Sequence, residues 1–191
     1  DSVAGYDKGQ ARVELGLDPI LPTLLVTGGS LGAKTLNESV IASLPKLKAA
    51  GIQVLHIVGD SSGLAEVAEP GYTRIAYCNR MDAAIAASDF AISRAGASTV
   101  AEFSAVGLPA LYVPYPAGNG EQRLNAATLC EAGGGVVVLD KDFSAAVIES
   151  EVIPTMSHAA TLQKMSEAAR SQGIPDSTLR LRDLVLSAVN T

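Results

Sequence analysis

Short apolar runs alternate along the chain with stretches in which apolar side chains recur every three or four positions. The runs fall at Thr23–Thr27, Val54–Val58, Arg74–Tyr77, Phe90–Ser93, Ala110–Val113 and Val136–Leu139, and they read as strands. Between them lie the helical stretches Gly32–Ala49, Ser62–Val67, Met81–Ala87, Thr99–Val106 and Gln122–Ala132. Strand-length apolar runs alternating with helices indicate a parallel sheet covered on both faces, with right-handed crossovers packing back onto it. The predicted fold class is α/β, a Rossmann-like, doubly wound parallel sheet in a single domain. Beyond Asp140 no strand pattern recurs, and Phe143–Ser150, Thr155–Ser171 and Leu179–Val189 read as helices separated by Gly173 and Pro175. Ligands of such sheets sit beyond the carboxyl ends of the strands, so chemistry is expected in the loops after Thr27, Tyr77, Ser93 and Val113.

Length and composition narrow the choice. At 191 residues the chain suits one domain with a sizeable core. Although 48% of its residues are hydrophobic, no run approaches the ~20 apolar residues a membrane-spanning helix needs, so a soluble domain is expected. The formal net charge of -6, without a long run of either sign, lacks the basic footprint of a nucleic-acid binder. Cys78 and Cys130 stand apart, without zinc or redox spacings, which points to a reducing compartment. The opening DSVAGYDKGQARVELG carries no secretory signal, and the missing initial methionine suggests a processed chain or a cut piece.

Three loops carry the candidate chemistry. The first, TGGSLGAKTLN, nearly matches a Walker phosphate loop, but Ala33 replaces its last glycine and no strand ends in a magnesium-binding aspartate. Gly28-Gly29-Ser30-Leu31-Gly32 also fits a GxSxG nucleophile elbow, with Asp140 and His158 following in hydrolase order, although the upstream strands of such a hydrolase have no place. A third reading is a helix N-terminus whose glycines admit a diphosphate or sugar, with the Ser30 hydroxyl as an extra donor; a fourth is a plain tight turn. In SRAGASTVAE, Ser93 to Glu102, the amides from Ala97 to Val100 open a helix towards a phosphate, and Glu102 is able to accept from two ribose hydroxyls. Thr99-x-x-Glu102 is equally a capping box, and the local pattern leaves both open. The third loop, GLPALYVPYPAGNGEQRLNA, brings Glu121, Gln122 and Asn125 within about one helical turn, a set suited to sugar hydroxyls. Arg94 is expected to be an ion-pair or loop anchor. Asp140-Lys141-Asp142 resembles a DxD metal site but sits where aspartate usually caps a turn, so no metal is expected.

In this order GGSLGA, SRAGASTVAE and GLPALYVPYP…GEQRLNA resemble the C-terminal half of the MurG family. These bacterial peptidoglycan glycosyltransferases transfer N-acetylglucosamine from UDP-GlcNAc to the lipid-linked muramyl-pentapeptide, lipid I. The resemblance runs from about Thr23 to near the end and implies the C-terminal, donor-binding domain of a two-domain GT-B fold. It implies that Ser30 lies near the diphosphate, that the Cys78 backbone reads the uracil edge and that Met81 lines the base pocket. Ala97, Ser98 and Thr99 would meet the phosphates, Glu102 the ribose, and Gln122 with Glu121 and Asn125 the GlcNAc hydroxyls. Many relatives have glutamine where this chain has Glu121. Retaining GT-B enzymes carry a glutamate where this chain has Arg94, which favours an inverting reaction. No cofactor is implied. Residues 1–22 would be a linker and short helix leading from a missing acceptor domain, residues 23–191 the UDP-sugar domain, and the isolated chain would be inactive. The other expected partners are lipid I and the cytoplasmic face of the membrane, reached through that acceptor domain. A serine hydrolase using Ser30 and a non-catalytic interaction module are the alternatives.

Overall fold

The computed structural model describes residues 6–29, 32–117, 119–174 and 177–189. Its strands are β1 (Thr23–Thr27), β2 (Gln53–Ile57), β3 (Val67–Glu69), β4 (Tyr72–Ile75), β5 (Phe90–Ser93), β6 (Ala110–Tyr112) and β7 (Gly135–Val137). They form one sheet in the order β3-β4-β2-β1-β5-β6-β7, parallel throughout except for the antiparallel β3–β4 pair. The helices are α1 (Lys8–Glu14), α2 (Lys34–Ala49), α3 (Met81–Ala87), α4 (Ala97–Val106), α5 (Glu121–Glu131), α6 (Ala145–Val147), α7 (Ile153–Ser157), α8 (Ala159–Ser171) and α9 (Ser177–Val189).

Every residue of β1, β2, β5 and β6 is buried, as strands covered on both faces require. Alternation along β1 sends Leu24 and Val26 into one core and Leu25 into the other. The Leu24 side packs against Leu36, Val40 and Leu47 of α2 and against Ile148, Val152 and Met156 near the C-terminus. The Leu25 side meets Ala84, Phe103, Ala126 and Ala169, from α3, α4, α5 and α8. Small alanines there let the helices approach closely. The expected α/β class and doubly wound sheet are therefore observed.

Two expectations about elements are corrected. Ser62–Val67 is not a helix: a short 3-10 turn over Asp60–Ser62 stops at Gly63, which is left-handed, and β3 follows. The Pro70-Gly71 pair then turns the chain, Gly71 taking φ 77° between Glu69 and Tyr72, which pair across β3 and β4. Thr155–Ser171 is broken at His158, which is extended (φ -117°, ψ 95°) and separates α7 from α8. The His158 ring bonds Pro154 O at 2.7 Å, closing the first of the two helices.

Residues ahead of β1 pack on the same body. Arg12 of α1 pairs with Asp89 at 2.6 Å and donates from Nε to Ala87 O, and Asp89 also accepts from Lys8 and from the Thr23 amide. Tyr6 donates to Asp82 of α3 at 3.1 Å.

Candidate functional site

The chain runs from β1 outward through β2 to β4 and returns at β5 on β1's other side. The loops leaving β1 and β5 therefore diverge and open a crevice between them, the usual ligand position of an open α/β sheet. A cavity of about 580 Å³ occupies it, within the size range of small-molecule sites.

The glycine loop forms one wall through Thr27, Gly28, Gly29 and Gly32. Gly32 has φ 77°, and a Cβ there would stand 2.4 Å from Val58 O; at Gly28 it would stand 2.5 Å from the Ala33 Cβ. Only glycines let this loop fold tightly against β2's exit and hand the chain to α2. Ser30 lies outside the described residues.

The opposite wall is the start of α4. Its N-cap is Gly96, with no side-chain cap, and Val100 is the first residue whose amide bonds back, to Gly96 O at 3.0 Å. The amides of Ala97, Ser98 and Thr99 thus have no acceptor among the described residues, and they carry the positive end of the helix dipole. The helix starts two residues before Thr99, so the capping-box reading fails. Glu102 is exposed on the cavity wall, and its carboxylate makes no hydrogen bond among the described residues. A free carboxylate one turn beyond free amides suits a diol next to a phosphate.

Ala76, Tyr77, Cys78 and Met81 close the far end. Burial pushes the Cys78 thiol up, so it stays protonated and serves as apolar wall. The Cys78 backbone makes no hydrogen bond among the described residues. Tyr115 and Gln122 complete the rim. Gln122 Oε1 accepts from the Ala95 amide at 3.2 Å and the Tyr115 amide at 2.9 Å, which leaves its amino group available for a ligand.

Cys78, Met81, Ser98, Thr99, Glu102 and Gln122 therefore lie around one cavity, with Ala97 adding an amide at the α4 start. Glu121 and Asn125 are not on its wall. Asn125 instead donates to Ala95 O at 3.0 Å, bracing the β5–α4 loop, while the Glu121 amide bonds Asn119. Tyr77, Tyr115, Phe103 and Ile57 line the cavity without having been singled out in the sequence. The one available signal was position: Tyr77 abuts Cys78 past a strand, and Tyr115 sits between Pro114 and Pro116.

Arg94 is an anchor, as expected. Its Nη1 donates to Val113 O at 3.0 Å and Pro114 O at 3.3 Å, and its guanidinium pairs with Asp140 and lies over the Tyr115 ring. Asp140 also accepts from Thr35 Oγ1 at 3.1 Å. With Asp140 so engaged and His158 held by Pro154, the two residues proposed as hydrolase partners of Ser30 do not meet.

The fold and crevice define an open α/β, Rossmann-like domain with a ligand-sized cavity at the carboxyl ends of its strands. Residues 23–181 match the model of the glycosyltransferase family 28 C-terminal domain, and the chain belongs to that family. It is 50% identical over 182 residues to a Clavibacter sepedonicus protein named UDP-N-acetylglucosamine--N-acetylmuramyl-(pentapeptide) pyrophosphoryl-undecaprenol N-acetylglucosamine transferase, covering 94% of this chain and 49% of the relative. A Streptomyces coelicolor protein of the same name is 47% identical over 196 residues, covering 98% of this chain and 54% of the relative. The chain thus spans about half the length of these curated relatives. Its fold also resembles the crystal structure of Acinetobacter baumannii MurG, with TM-score 0.76 at 24% identity over 97% of this chain and 55% of that one. The calicheamicin glycosyltransferase CalG4 shares the fold at TM-score 0.66 and 21% identity, over 90% of this chain and 43% of that one.

Proposed function

We propose that this chain binds UDP-GlcNAc as the donor domain of an inverting N-acetylglucosaminyltransferase that converts lipid I to lipid II in peptidoglycan synthesis. The observation that carries the reading is the pairing of three free amides at the α4 start with the free Glu102 carboxylate on one cavity wall. The relatives' names supply the sugar and acceptor classes.

In this reading the Ala97, Ser98 and Thr99 amides take the diphosphate, with Gly28, Gly29 and Gly32 of the glycine loop opposite. Glu102 holds the ribose diol, and the Cys78 backbone and Met81 hold uracil. The Gln122 amino group meets the sugar, while Glu121 and Asn125 stand further out. As the glycosidic bond breaks, negative charge grows on the departing UDP, and fixed amides at a helix start stabilise it without reorganising. Lipid I, the general base and the cytoplasmic membrane face would be reached through an acceptor domain preceding residues 1–22, and the isolated chain would not transfer sugar.

Titration calorimetry with UDP-GlcNAc tests the assignment. The chain should bind, and Glu102→Ala should weaken binding roughly tenfold or more, as loss of a charged hydrogen-bond acceptor costs about 1.5–3 kcal/mol. No heat at millimolar donor, or an unchanged Glu102→Ala isotherm, would refute it.

A further inference from the structure

Asp140 lies just past β7, yet its carboxylate joins two segments far away in sequence. One oxygen, Oδ2, accepts from Thr35 in the first turn of α2. The other, Oδ1, is removed from solvent and accepts no hydrogen bond among the described residues, but stands within ion-pair range of the Arg94 guanidinium at the exit of β5. Arg94 in turn holds the carbonyls of Val113 and Pro114 after β6, and lies over the Tyr115 ring. Gln122 continues the chain of contacts, accepting from the amides of Tyr115 and Ala95. The side chains of Arg94 and Asp140 are only 13% and 17% exposed, so neither is free to take a new partner in solvent.

This network reaches the cavity wall through Arg94, Tyr115 and Gln122. None of its bonds belongs to the sheet, and they add to two other ties at these strand exits, the Arg94 amide on Thr27 O and Asn125 on Ala95 O. Amides aimed at an anion act only if held at hydrogen-bond range, and an ångström of drift is costly.

We propose that Asp140 is a positioning residue of the donor cavity, with Thr35 as its second arm, and that it acts through Arg94 to fix the α2 and α4 starts around a nucleoside diphosphate. This rests on the donor-site reading above. Asp140 touches no ligand itself. It also keeps the Arg94 guanidinium committed to the frame, so that the phosphates are read by backbone amides.

Uridine and UDP separate this role from a merely structural one, since they share base and ribose and differ in the diphosphate. In calorimetry on the 191-residue chain, Asp140→Ala should bind UDP about tenfold more weakly and uridine as the wild type does. Asp140→Asn, which keeps the shape and one acceptor, should recover most of the loss. Thr35→Val severs only the α2 arm and leaves the Arg94 pair intact; it should weaken UDP by about threefold with uridine unchanged, and it decides the matter if Asp140→Ala does not fold. Equal losses for both ligands, no loss for either, or tighter UDP binding from a released Arg94 would overturn the proposal. Failure of the wild type to bind UDP would instead refute the donor site.

Discussion

His56 sits in the middle of β2 with no exposure, its Nδ1 3.0 Å from the Tyr72 hydroxyl and its Nε2 3.0 Å from Asn37 Oδ1. The amide oxygen accepts only, so Nε2 carries the proton and Nδ1 receives the tyrosine's. Burial, helped by the Arg74 charge, pulls its pKa down to about 3 from the usual 6.5. Between those values the unfolded chain binds a proton that the folded one refuses, so stability is complete above about pH 6.5 and drains away as pH falls towards 3. Urea unfolding should therefore lose roughly 2 kcal/mol between pH 7 and pH 4.5 through this residue, and His56→Gln should remove that part of the slope. Nothing in VLHIV announces such a histidine, since its partners come from α2 and β4. Asp140 was opaque for the same reason: the DKD triplet reads locally as a metal site or a turn, and its pairing with Arg94 spans 46 residues. Arg94 was legible as an anchor because a charged residue ending a buried strand needs a partner.

Helix starts decide how the elements serve the cavity, and two glycines separate shape from contact. Gly32 is left-handed and abuts Val58 O, so Gly32→Ala should cost about 1–3 kcal/mol in chemical denaturation. Gly96 is different, with φ -64° and its nearest non-local atom, Thr99 Oγ1, 3.8 Å from a built Cβ. Gly96→Ala should cost less than about 1 kcal/mol of stability, yet its methyl group would crowd a phosphate, and UDP affinity should fall severalfold. If both variants lose stability alike, the α4 start is a packing device and not a docking one. The strands that position these helices were readable because burial on both faces makes them continuously apolar. β3 was not, being three residues with two exposed, set by a Pro-Gly turn and by pairing to β4. The start of α4 was misread by two residues because Thr99 and Glu102 offered a cap that the backbone at Gly96 made unnecessary.

At the scale of the whole molecule, a ligand that binds only the folded chain must raise its melting temperature. At a hundredfold excess over Kd the gain is about 2.7 kcal/mol, or roughly 5–10 °C for a chain of this size. UDP-GlcNAc should give the largest shift in a series with UDP-GalNAc, UDP-glucose and ADP-sugars; equal shifts across the series would dismiss base and sugar recognition together. The crevice that would receive them is assembled from ends of β1 and β5 some 66 residues apart, so it exists only once both halves of the sheet have met. The sheet's two margins lead to a different consequence. β3 and β7 are each three residues long and partly exposed, and neither offers a full ladder for another chain to extend. Any second body that meets this one over the crevice has to touch it through loops and helix ends, not by β-augmentation. Such a contact forms and breaks without any strand of this sheet being unzipped.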